Sequence, residues 1–256
     1  MSEVRISTPR GRILEGTFKR PVNSRDAAVL FSHSFLADRH SGEHFCQLAK
    51  AYRCAGYATL EFDYSGHGTS DDEIITDEAR IEDLKAASGW LVDQGLPHQI
   101  VHGHSFGSII ALKARPSAVV TMILSGAVLG PLTYDWNAIF SPVQLDELED
   151  YGVTTIPNDS PGMRRNFTIS KQTLADLSLN NGAQLLDGLS YPILVIHDAD
   201  DVDAGLVELS QESFSRMADG SRVDIFSDAR FSVGEKHDVL IDKSVRWALQ
   251  HMPINR

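Results

Sequence analysis

The sequence predicts an α/β fold, a mostly parallel sheet with helices on both faces. Short apolar runs rich in β-branched residues recur along the chain. Amphipathic stretches of helical period separate them. Most of these runs are continuous rather than alternating, as expected of strands covered on both sides.

In chain order, Val4 to Ser7 and Arg12 to Phe18 alternate and flank the turn Pro9-Arg10-Gly11. They read as an antiparallel hairpin at one edge. Ala27 to Phe31 is a buried strand. His44 to Arg53 is a helix, with Phe45, Leu48, Ala49 and Tyr52 at i, i+3, i+4 and i+7, and Gly56 stops it. Tyr57 to Phe62 is the next strand. A helix follows from Thr76 to Gln94, with Ile81, Leu84, Ser88 and Leu91 inward and Asp77, Glu78 and Glu82 early, where negative charge suits the dipole. Gln99 to Gly103 is a strand and Ser105 to Ala114 a short helix that ends before Pro116. Ala118 to Leu124 and Pro192 to His197 are strands. Gly205 to Ala218 and Val239 to His251 are helices around a last strand, Arg222 to Phe226, making eight strands in all.

The interval 126–190 breaks this rhythm. It is too long for a plain loop between two core strands. It holds Tyr134, Trp136, Phe140, Tyr151 and Phe167 with Pro142, Pro157 and Pro161. It reads as an inserted cap, with 1–125 and 191–256 forming the core; ordinary structural helices are the alternative. Its aromatic residues, Trp136 and Phe140 among them, suit binding of an apolar or aryl group, but would equally fill the insertion's own core.

Composition narrows the function classes. The 256 residues are 42% hydrophobic and 23% charged, an ordinary globular balance. Lys and Arg number 23 against 35 Asp and Glu, a formal net charge of −12. That excess repels phosphate backbones and anionic lipid surfaces, so the expected partner is a small-molecule substrate rather than nucleic acid or membrane. No apolar run approaches the roughly 20 residues of a membrane span. The N-terminal stretch lacks the apolar segment of a secretory signal. With two cysteines, Cys46 and Cys54, a disulfide framework is excluded and a cytoplasmic setting is expected. Both thiols read as buried and unreactive. Oligomeric state is not legible.

The chemistry concentrates at Gly103-His104-Ser105-Phe106-Gly107, a G-x-S-x-G run between a strand and a helix. Turning from strand to helix at one residue strains its backbone and leaves no room for side chains two residues either way. The serine hydroxyl then points off the sheet edge beside a helix N-terminus.

With this elbow the chain resembles the α/β-hydrolase family, most closely its compact serine esterases of the cinnamoyl/feruloyl type. Ser32-His33-Ser34-Phe35 after the third strand, Asp63-Tyr64-Ser65-Gly66-His67-Gly68-Thr69-Ser70 after the fourth, Pro192 to Asp201, and Gly234-Glu235-Lys236-His237 match it in order. The resemblance implies an eight-stranded hydrolase sheet with a small cap, and a triad of Ser105, an acid and His237. His251, late in the final helix, reads as a solvated residue instead. The acid four residues after His197 is Asp201, with Asp200 the alternative. It also implies an oxyanion hole from the Phe35 and Phe106 amides, and cleavage of an ester through an acyl-enzyme with no metal or organic cofactor. Thioesterase, peptidase and C–C bond hydrolase chemistry share this triad. A non-catalytic ligand-binding relative is the other class. Two residues depart from the pattern: Ser34 and Asp198 stand where glycine is usual. His40 and His44 have metal-ligand spacing but read as a surface pair at a helix start; His33, His67 and His104 read as packing around the site.

Overall fold

The computed structural model describes residues 2–22, 24, 26–41, 44–159, 164–226 and 233–254, with no side-chain description for 233 and 235. Pro161 and the residues just before 233 lie outside these. Strands β1 (Ser2–Ser7), β2 (Ile13–Lys19), β3 (Ala27–Ser32), β4 (Ala58–Phe62), β5 (His98–His104), β6 (Val119–Ser125), β9 (Ile193–Asp198) and β10 (Arg222–Phe226) form one sheet in the order β1-β2-β4-β3-β5-β6-β9-β10. β1 and β2, and β2 and β4, pair antiparallel; every other neighbour is parallel. The edge hairpin and mostly parallel sheet read from the sequence are thus both present.

Alternation along the strands divides the core in two. On β3, Ala28 and Leu30 join one cluster with Leu84, Leu91, Ile109 and Ile110 from helices α2 (Asp77–Asp93) and α3 (Phe106–Ala114). Val29 and Phe31 join the other, with Phe45, Leu48 and Trp247 from α1 (His44–Cys54) and α10 (Val233–His251). Each face of the sheet is therefore sealed by its own helix pair. Thr76 starts α2: its hydroxyl accepts the Ala79 N–H at 3.2 Å, a cap worth about 1 kcal/mol.

Several local expectations need correction. The buried face of α2 runs through Arg80, Asp83, Leu84, Ala87, Ser88 and Leu91, leaving Ile81 only partly covered. Cys46 and Cys54 are exposed, because they lie off the Phe45, Leu48, Ala49, Tyr52 stripe that packs inward. The helix expected over Gly205 to Ala218 is shorter: α9 spans Leu206–Ser213, followed by a 3-10 turn, Phe214–Arg216. An extra short helix, α8 (Ala199–Asp203), precedes it, capped by Asp198. α10 begins at Val233 rather than Val239, so His237 sits inside the helix. No proline or turn residue interrupts 235–239, and nothing in that stretch stops a helix from starting early.

Between β6 and β9 lie α4 (Trp136–Ile139), α5 (Pro142–Asp150), a two-stranded antiparallel pair β7 (Val153–Pro157) and β8 (Asn166–Ser170), α6 (Lys171–Ser178) and α7 (Gly182–Leu186). Phe140, Leu148 and Ile169 form a small core of their own. Arg164 fastens this segment to the loop after β4, donating to the Gly68 and Ser70 carbonyls at 3.3 and 2.6 Å and pairing with Asp72 at 2.5 Å. The Ile75 N–H donates to the Thr168 carbonyl at 3.0 Å, and Thr173 Oγ1 donates back to the Ile75 carbonyl.

The tightest packing is at the β5–α3 turn. A Cβ on Gly107 would lie 2.0 Å from the Ser32 carbonyl oxygen, and one on Gly103 would lie 3.0 Å from the Gly107 oxygen. Backbone blocks both positions, so relief requires moving β3 or α3. Gly107→Ala is expected to destabilise the fold by about 3 kcal/mol, read as a lower urea midpoint at unchanged slope.

Candidate active site

Ser105 ends β5 and precedes α3 with φ 51° and ψ −124°, a conformation that non-glycine residues rarely hold. The turn is held from both sides. Its N–H donates to the Ser125 carbonyl at 2.9 Å, and its carbonyl accepts the Ser108 N–H at 2.9 Å and the Ser108 hydroxyl at 2.6 Å. The Ser105 side chain makes no capping bond to α3. The strain therefore places a half-buried serine at the helix N-terminus, as the motif predicts.

The loop after β3 is pinned by buried polar groups. His33 is fully buried. Its Nδ1 donates to the Ser34 carbonyl at 2.8 Å and its Nε2 accepts the Tyr64 N–H at 3.2 Å, which fixes the neutral tautomer. Burial, reinforced by Arg80, pushes its pKa down to about 3. Arg80, also buried, donates from Nη2 to the His33 carbonyl at 3.0 Å and lies over the Tyr64 ring. Ser34 does not have a positive φ; Leu36 does, at 57°. Serine is thus accommodated at 34 without strain, and the unusual backbone falls two residues later. Among the described residues, neither the Phe35 nor the Phe106 N–H donates to a backbone carbonyl. The two rings meet edge to face at 6.2 Å.

These phenylalanines open onto a cavity of about 370 Å³. Its wall is almost wholly apolar, with Leu36, Tyr134, Trp136, Phe140, Ile169 and Leu177 among the lining residues. Tyr134 stacks on Trp136 at 4.7 Å and Trp136 on Phe140 at 5.8 Å. Trp136 and Phe140 therefore line a space next to Ser105's neighbour Phe106. The size falls in the usual range for small-ligand sites.

Histidines gather on the opposite flank. The His44 ring lies 4.8 Å from His104 and 4.9 Å from His237. His44 is largely buried, and its pKa is pushed down to about 3 by burial and then by the other two imidazoles. It is not the surface residue the sequence suggested. Its position four residues before Leu48 and eight before Tyr52 puts it on the inward stripe of α1, a signal the periodicity already carried. Arg80, four before Leu84, was legible in the same way.

His237 and His104, the residue before Ser105, thus both pack on the His44 ring. Its Nε2 is buried and has no hydrogen-bond partner among the described residues. Burial lowers its pKa, and Asp238 partly opposes this. Asp201 Oδ2 accepts from His197 Nδ1 at 3.2 Å and from the Asp198 N–H at 3.0 Å. Its Oδ1 stands beside Gly126, the residue after β6. His197 is held in turn at Nε2 by Ser210 Oγ, 2.7 Å away. Asp198 caps α8, accepting the Asp200 and Asp201 N–H groups at 2.9 and 3.2 Å. Asp200 faces outward and pairs with Lys236 at 3.5 Å. Asp201 acts electrostatically on His104 and His237 packs on His44, but no hydrogen bond joins Ser105, His237 and Asp201 to one another among the described residues. His251, the other late histidine, packs on Trp247 with ring centroids 3.9 Å apart.

A family model described as the alpha/beta hydrolase family matches residues 29–242. Among solved structures, the chain is similar to the alpha/beta hydrolase GrgF from Penicillium sp. sh18, at 19% identity and TM-score 0.77 over 99% of both chains. It is also similar to the esterase domain of a Rhodothermus marinus protein, at 22% identity and TM-score 0.69 over 98% of both chains. An esterase from Pyrococcus furiosus aligns at 17% identity and TM-score 0.70, covering 98% of this chain and 90% of that one. No curated protein matches the chain significantly. At these identities the structural likeness establishes the fold.

His102 gives a test of the buried imidazoles. It is fully buried, with Nδ1 3.0 Å from the Tyr52 hydroxyl and Nε2 3.3 Å from Ser125 Oγ. Burial holds its pKa well below the usual value. Below about pH 6.5 the unfolded chain takes a proton that the folded one refuses, so stability from this group is complete above that pH and declines as pH falls. His102→Gln retains hydrogen-bonding capacity without titrating. The loss of unfolding free energy between pH 7 and pH 5 is expected to shrink by about 2 kcal/mol in the variant, measured by urea unfolding at both values.

Proposed function

Because the chain belongs to the alpha/beta hydrolase family, we propose that it is a serine hydrolase cleaving carboxylic esters with an apolar or aromatic acyl group. The observation that carries this is the strained backbone of Ser105 immediately before Phe106, which with Phe35 lines an apolar cavity. In this reading residues 126–190 are the cap that supplies most of the cavity wall. Trp136 and Phe140 hold the acyl group against their stacked rings.

Ser105 attacks the ester carbonyl while His237 Nε2 takes its proton. The Phe35 and Phe106 N–H groups receive the developing oxyanion, each such donor being worth about 3 kcal/mol in the transition state. His237 then protonates the leaving alcohol. Water, deprotonated by the same imidazole, releases the acid from the acyl-enzyme. The mechanism requires His237 to turn from His44 towards Ser105, and its Nε2 holds no hydrogen bond that this turn would break. Asp201, already oriented by His197 and the Asp198 N–H, receives the imidazolium on its other oxygen.

The open arrangement of Ser105, His237 and Asp201 favours one second reading, a small-ligand-binding member of the fold that does not turn over. A fluorophosphonate probe separates the two. Stoichiometric labelling of Ser105 supports the hydrolase; absence of labelling together with ligand-induced thermal stabilisation supports the binder.

For the hydrolase, Ser105→Ala is expected to lower kcat on p-nitrophenyl acyl esters by at least about 10³-fold with folding intact. Hydroxycinnamate esters and acyl-CoA thioesters in the same panel test the acyl preference. The base must be neutral, and burial lowers the His237 pKa. Activity is therefore expected to persist below about pH 6.5 and to fall only as pH drops through that lowered value, visible as the acid limb of kcat/KM.

A further inference from the structure

Away from the cavity, α1 and β4 bring together three side chains of different sequence origin. His40 precedes α1, Cys46 lies in its first turn, and Glu61 lies near the end of β4. One ligand atom from each falls within 4.8 Å of the other two. Cys46 Sγ and His40 Nδ1 are 3.7 Å apart. A tetrahedral zinc ion, with Zn–S about 2.3 Å and Zn–N about 2.1 Å, sets these two ligands about 3.6 Å apart.

Glu61 is 1% exposed, yet its Oε1 has no hydrogen-bond partner. A buried carboxylate oxygen left without a partner is costly. Arg53 does not resolve this: its Nη1 stands 3.6 Å from that oxygen and donates to Thr59 Oγ1 at 3.0 Å instead. His40 and Cys46 are exposed, which gives an ion a path from solvent.

We propose that His40, Cys46 and Glu61 form a binding site for a divalent transition-metal cation, zinc by its donor set. Sulfur, imidazole nitrogen and carboxylate oxygen are the zinc donors, and softness disfavours calcium or magnesium. Binding displaces the thiol proton to solvent, and the thiolate and carboxylate together balance the ion's two charges. Three protein ligands leave a fourth position for water. The ion would tie the first turn of α1 to β4. That same turn directs His44, two residues before Cys46, towards His104 and His237 on its other side.

Cobalt(II) is the probe, titrated into the full chain under a non-thiol reductant. One equivalent is expected to produce a thiolate-to-cobalt charge-transfer band in the near ultraviolet, and zinc should abolish it. The band should vanish in Cys46→Ser and persist in Cys54→Ser. Glu61→Gln should weaken cobalt binding at least about tenfold. Circular dichroism checks that each variant is folded, and zinc should raise the Tm of the unaltered chain but not of Cys46→Ser. A chain with no such band, a band that survives in Cys46→Ser, or unchanged affinity in folded Glu61→Gln overturns the site.

Discussion

The fold is organised around one strained residue. At Ser105 the chain leaves β5 and enters α3 with a backbone that side chains normally avoid. Such a conformation persists only where its surroundings over-determine it. Here β6 binds its N–H, Ser108 binds its carbonyl twice, and Gly107 allows α3 to approach the Ser32 carbonyl. The parallel pairing of β3, β5 and β6 supplies that frame. The central strands are therefore as much part of the site as the residues at its rim.

Around this turn the protein separates two environments. One flank is an apolar cavity ringed by stacked aromatic side chains. The other is a group of imidazoles kept neutral by burial, with Ser125 Oγ bridging His102 and His104. Neutral imidazoles can donate and accept without carrying a charge into a poorly hydrated region. The acidic loop after β9 is likewise ordered internally, through His197, Asp198 and the cap of α8. The polar side of the site is thus organised by hydrogen bonds rather than by exposed charge.

Much of this was legible from residue pattern. The parallel strands announced themselves as continuous apolar runs, and Thr76 with two following acids marked the start of α2. The elbow was legible because its glycines answer a steric requirement at fixed spacing. What escaped was set by tertiary context. Five residues with one valine give little helical signal, and α8 exists because Asp198 and Asp201 cap it reciprocally. α10 starts earlier than the turn implied by the resemblance, through a stretch without any helix breaker. One stripe on α1 sorts the polar residues, with His44 inward and Cys46 outward, against the expectation of a surface histidine and buried thiols. Polar residues on an apolar stripe give a weak sequence signal, yet here Arg80 and His44 lie beside the candidate site.

The segment between β6 and β9 is joined covalently to the core at its ends and clasped at Arg164 to the loop after β4. A flap held at one edge can swing clear; a strap buckled on both sides can only bow. The clasp at Arg164 would thus limit how far this side of the aromatic chamber can yield.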